Sequence, residues 1–148
     1  MLSLALALVL FACALTLALA AATGRVSLVR VEGESMLPTL QPGDLVLCQR
    51  YQKGRSPRTG ELVTVRRESF PPLIVKRVLA SPGEALPAEI SEEESRLPPG
   101  RYFLVADNSA QSHSPRWIGP VETVDIQAQA WLVIWPWRRW CISSRRPA

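Results

Sequence analysis

Residues 1–22, MLSLALALVLFACALTLALAAA, carry no charge, whereas from residue 26 onward apolar and polar positions alternate in short runs broken by proline and glycine. Twenty-two residues at a rise of about 1.5 Å make roughly 33 Å of helix, enough to cross the hydrocarbon core of a bilayer. The pattern predicts an N-terminal transmembrane anchor over 1–22. A cleaved signal segment is the competing reading, because Ala18-Leu19-Ala20 and Ala20-Ala21-Ala22 are small-residue cleavage patterns. Against it, no Lys or Arg precedes Arg25 and the apolar run exceeds an ordinary signal h-region. Residues 23–30 then read as a juxtamembrane linker, 31–142 as the folded domain and 143–148 as a basic tail.

Behind the anchor, RVSLVRVEG alternates like a strand and QPGD (41–44) is a turn, with Pro42 fixing φ and Gly43 supplying a permissive position. LVLCQRY (45–51), ELVTVRRE (61–68), LIVKRVLA (73–80) and RYFLVA (101–106) read as strands, and residues 120–135 supply one or two more. Residues 84–97, with Glu92-Glu93-Glu94, read as a solvated excursion. Short strands between Pro/Gly turns, with no helical period after the anchor, predict an all-β domain, a compact barrel or sandwich.

Composition adds little to this picture. At 148 residues the chain holds one domain and an anchor. Its formal net charge of +4 is spread over the chain, and no nucleic-acid-binding motif accompanies it, so nucleic acid is not an expected partner. The three cysteines, Cys13, Cys48 and Cys141, make no disulfide framework, although a Cys48–Cys141 bridge is open to the sequence. No cofactor and no metal are expected. The tail segment AWLVIWPWRRWC holds Trp131, Trp135, Trp137 and Trp140, and indoles with two arginines predict an interfacial patch that touches membrane lipid.

Two positions carry candidate chemistry. In VEGESMLPTLQPGD (31–44), Ser35 sits in a stretch too broken for a helix. In LIVKRVLA, strand alternation puts Ile74, Lys76 and Val78 on one side and Val75, Arg77 and Leu79 on the other. Both sides are otherwise apolar, so at least one basic head points into a dry environment or snorkels out. An arginine there stays charged and needs an acid; a lysine can lose its proton and act as a base. The sole histidine, His113, leaves little for a Ser-His-Asp triad, whereas a serine with a lysine base is an established form of nucleophilic catalysis.

ESMLPTLQPGDLVL, GELVTVRR, VKRVLASPGE and LPPGRYFLVADNSAQSHSPRWIG, in that order over residues 31–136, resemble four boxes of the signal peptidase I family of membrane-bound Ser/Lys proteases. The resemblance implies Ser35 as nucleophile and Lys76 as general base, with Met36 shaping the substrate cleft. It further implies that Ser112 orients the Lys76 amine, Asp107 and Arg77 form a supporting ion pair, and Arg116 braces the last loop. The Ser35 backbone N–H becomes an oxyanion donor.

Three departures stand out. Gly33 occupies the position where many relatives place a second oxyanion donor, a serine. Ala106 replaces the family's glycine, and Ser114-Pro115 replaces its usual Asp-Ser. The expected activity is a membrane-anchored serine endopeptidase that removes signal or leader peptides after small residues of Ala-x-Ala type. Its partner is a precursor protein. A dedicated propeptide maturation protease of the nickel superoxide dismutase type, acting in the cytoplasm, and a catalytically dead peptide-binding β-module are the alternatives. Arg25 and Arg30 alone would put the domain on the cytoplasmic side; the family resemblance puts a single-pass protein in the cell membrane with its catalytic domain on the extracytoplasmic face.

Overall fold

The computed structural model describes residues 2–66, 73–87, 90, 96–108 and 117–139. A helix, α1 (Leu2–Ala22), precedes seven strands: β1 (Val26–Arg30), β2 (Leu45–Arg50), β3 (Leu62–Val65), β4 (Ile74–Ala80), β5 (Arg101–Val105), β6 (Trp117–Glu122) and β7 (Ile126–Trp135). The five alternating runs up to residue 106 are β1 to β5, and the segment read at 120–135 divides into β6 and β7, with β6 starting three residues earlier, at Trp117. Residues 26–30, assigned from sequence to the linker, belong to the sheet, because β1 pairs antiparallel with β2 from Val26↔Gln49 to Arg30↔Leu45.

All seven strands form one antiparallel sheet in the order β1-β2-β7-β3-β4-β5-β6. This corrects the barrel-or-sandwich expectation. Among the described residues β1 and β6 are edges that do not pair, so the sheet is open, and no second sheet packs on it. The reason lies in β7. It is ten residues long: residues 126–129 pair with β3 on one edge (Val63↔Gln129), and from Ala128 onward the other edge pairs with β2 as far as Leu45↔Trp135. One strand thus joins two groups of strands that a sequence reading would place in separate layers.

Two of the three core clusters among the described residues flank β3 and β4. Val46, Cys48, Leu62, Val75, Ala128, Ala130 and Val133 pack with Val31, Met36 and Leu40. Val63, Val65, Val78, Tyr102, Leu104, Ile118, Val121 and Ile126 form the other. β3 and β4 contribute to both, so they are covered on both faces. At the far edge, a Cβ on Gly119 would fall 2.4 Å from the Phe103 ring, so only glycine lets that ring lie against β6.

α1 is a 21-residue helix without a charged residue, and its leucines at 4, 6, 8, 10, 15 and 19 and Phe11 are exposed. Among the described residues no helix is long and apolar enough to cross a membrane; the side chains of residues 2, 3, 17 and 21 lie outside that description.

Candidate active site

The loop from Val31 to Asp44 is closed at its neck by Val31 N–H to Asp44 O (2.8 Å) and Gly43 N–H to Val31 O (2.9 Å). Inside it, turn bonds run from Leu37 N–H to Glu34 O and from Leu40 N–H to Met36 O, and the Asp44 carboxylate accepts from Gln41 N–H. Met36 and Leu40 are buried in the first core cluster. These two apolar plugs fix the loop on the sheet and leave Ser35, next to Met36, half-buried. Gly33 has φ +79°, a left-handed backbone that glycine adopts without strain.

β4 carries the two adjacent cations, and both are buried. Arg77, 0% exposed, donates from Nε to Asp107 Oδ1 (2.7 Å), from Nη2 to Asp107 Oδ2 (2.6 Å) and from Nη1 to Gly60 O (2.7 Å). A fork geometry of this kind matches guanidinium to carboxylate. Thr39 Oγ1 donates to Asp107 Oδ2 at 2.5 Å, which ties the serine loop to the same ion pair. Asn108 adds two more ties. Its backbone N–H donates to Ser35 O (3.0 Å) and its Nδ2 donates to Glu34 O (2.9 Å).

Lys76 lies opposite Val63 in the β3–β4 register and is 3% exposed. Its Nζ has no hydrogen-bond partner among the described residues, Ser35 Oγ included. Burial lowers its pKa from the ordinary lysine value, and the Asp107 carboxylate pulls weakly the other way. Desolvation of this kind favours the neutral amine, the form that a general base requires. Cys48 is a free thiol in the core, pushed up to about 12 by burial, and so inert as a nucleophile.

The loop of Ser35 and Met36 is therefore joined to the β4–β5 strand pair that carries Lys76, Arg77 and Asp107. Ser112, Arg116, His113, Ser114 and Pro115 lie outside the described residues, as do Trp140 and Cys141. Among the described residues no group of three or more His, Cys, Asp or Glu is placed to hold a metal. Sequence reasoning missed Thr39 and Asn108. Their only signal was position: one follows Pro38 in the serine loop, the other ends the polar step after β5.

Comparison with known proteins identifies the family. Residues 3–92 match the family model described as signal peptidase, peptidase S26. The chain is 31% identical over 126 residues to mitochondrial inner membrane protease subunit 2 of Mus musculus, covering 78% of this chain and 71% of that protein. It is 29% identical to subunit 1 from the same organism, with 74% and 69% covered. It is 30% identical to mitochondrial ATP-independent inner membrane protease subunit 1b of Arabidopsis thaliana, with 72% and 68% covered. A matched stretch that takes in the serine loop and the lysine strand, together with relatives that span most of both chains, assigns this protein to the signal peptidase family, peptidase S26, and makes it a peptidase.

Proposed function

We propose that the chain is a membrane-anchored serine endopeptidase with Ser35 as nucleophile and Lys76 as general base. The observation that carries the reading is the Lys76 amine: buried, lacking a hydrogen-bond partner among the described residues, and one residue from an ion pair bonded to the serine loop. Neutral Lys76 takes the proton of Ser35 Oγ as that oxygen attacks the scissile carbonyl carbon. The resulting oxyanion is met by the Ser35 N–H. Collapse expels the amine of the mature protein, which receives the proton from Lys76. Water then attacks the acyl ester as Lys76 takes one of its protons, and Lys76 passes that proton to Ser35 Oγ as the leader leaves with a carboxyl end. Met36 shapes the cleft, Ser112 orients the Lys76 amine, and Arg77, Asp107 and Arg116 brace the surrounding loops. The substrate is a precursor cut after small residues of Ala-x-Ala type.

Membrane association is supported by the relatives' names. We place the catalytic domain on the extracytoplasmic face of that membrane. Trp131, Trp135 and Trp137 are all more than half exposed, Arg138 lies 5.6 Å over the Trp137 ring, and such a surface suits the headgroup layer. A dead peptide-binding module is the second reading, favoured by Ala106, Ser114 and Pro115 in the last box. Cleavage of an Ala-x-Ala precursor in detergent separates the two. Wild type cuts, while Ser35→Ala and Lys76→Ala each lose all but a trace of activity and keep the fold. Activity within about tenfold of wild type in either variant refutes the Ser/Lys assignment, since removing a nucleophile or base costs far more. His113→Ala retains most activity; collapse on that change points to a histidine base.

A further inference from the structure

Two peptide planes flank Ser35, and both of their carbonyls are held by one residue across the molecule. Asn108 Nδ2 donates to Glu34 O at 2.9 Å, and Asn108 N–H donates to Ser35 O at 3.0 Å. In a trans peptide the C=O and the following N–H point in opposite directions. Fixing Glu34 O therefore fixes where the Ser35 N–H points, and fixing Ser35 O sets the next plane. Nothing among the described residues accepts the Ser35 N–H. Leu37 N–H also donates to Glu34 O (3.1 Å), but it belongs to the same turn and moves with it. Asn108 follows β5, so it alone of the two refers the peptide to the sheet that carries Lys76 and Arg77.

We propose that Asn108 is a positioning residue that aims the Ser35 backbone N–H at the developing oxyanion by clamping the Glu34–Ser35 peptide. The inference rests on Ser35 being the nucleophile. Gly33 sharpens the need, because it brings no side-chain donor and the backbone N–H must carry more of the charge.

The test uses the full chain in detergent with an Ala-x-Ala precursor peptide. Asn108→Ala lowers kcat on the order of 10²-fold, the scale of losing one oxyanion donor. KM stays within about threefold, because the contact forms fully only in the transition state. A peptide aldehyde, whose adduct with the serine carries the oxyanion, binds weaker by a similar factor. A non-cleavable peptide of the same sequence binds as before. Asn108→Leu keeps the bulk and the backbone N–H while removing the side-chain donor, and it decides the matter if Asn108→Ala melts early. Unchanged kcat in a folded variant overturns the proposal, as does a kcat loss with unchanged aldehyde affinity. Ser35→Ala runs alongside. If it stays active, the nucleophile reading itself fails; if it is dead while Asn108→Leu is fully active, only the clamp fails.

Discussion

Replacing Lys76 by methionine should stabilise the protein at neutral pH while removing its activity. The side chains are similar in length, and two positions away on the same strand Val78 belongs to the second core cluster and Ile74 packs against it. What changes is the amine, 3% exposed and without a hydrogen-bond partner among the described residues. A buried polar group left unsatisfied costs about 1–3 kcal/mol, and more if charged. For a domain of this size each kcal/mol moves Tm by roughly 4 °C, so the variant should melt about 4–12 °C higher at pH 7. The sign with pH follows from linkage. Burial lowers the folded pKa of Lys76 below that of the unfolded chain, so between the two values the unfolded state binds more protons. Wild-type stability therefore rises with pH across that window, and the penalty is complete below the folded pKa. Lys76→Met has no such slope. The gap in Tm, read by circular dichroism in detergent, should be widest at pH 7 and shrink toward pH 10. A methionine variant that melts lower at pH 7, or a gap that stays constant with pH, means the amine is satisfied in the fold and the reasoning fails.

Asp107→Asn should move the acidic limb of the pH–rate profile to lower pH, because the carboxylate is what pulls the Lys76 pKa upward. It should also cost about 3–5 kcal/mol in denaturant unfolding, since it leaves Arg77 buried without its counter-charge; an unmoved limb in a folded variant means Lys76 is not the titrating base. The tryptophan patch is tested with brominated lipids: Trp131→Ser, Trp135→Ser and Trp137→Ser together should remove most of the lipid quenching of the chain's fluorescence. Quenching that survives in full puts the membrane contact elsewhere.

Much of the sheet was legible because its strands are short and alternate. β2, β4 and β5 begin and end within a residue or so of the apolar runs that announced them. Closure was not legible. Alternation tells which face a residue takes, but not which strand lies beside it, and the long β7 shared between β2 and β3 has no local signature. Lys76 could be singled out because a cation inside LIVKRVLA violates the pattern around it. Thr39 and Asn108 violate nothing. Their partners, Asp107 and Glu34, are 68 and 74 residues away, so only the fold brings them into contact.

Gly33 shows where a residue-by-residue comparison misleads. From sequence it reads as a hydroxyl lost from a loop that is otherwise the family's. In the fold its φ is +79°, and nothing lies within 4 Å of where a Cβ would stand. Space is therefore not what selects glycine; the backbone is. A serine held in that left-handed region costs on the order of 1–3 kcal/mol, so restoring the hydroxyl would strain the loop or turn it. The same loop is bonded at Glu34 and Ser35 to Asn108 and, through Thr39, to the Arg77–Asp107 pair. Under the Ser35 reading, the missing side-chain donor and the externally held peptide belong to one arrangement. With no hydroxyl at position 33, the charge on the oxyanion falls on a backbone N–H, and a backbone N–H can be aimed only by holding its peptide.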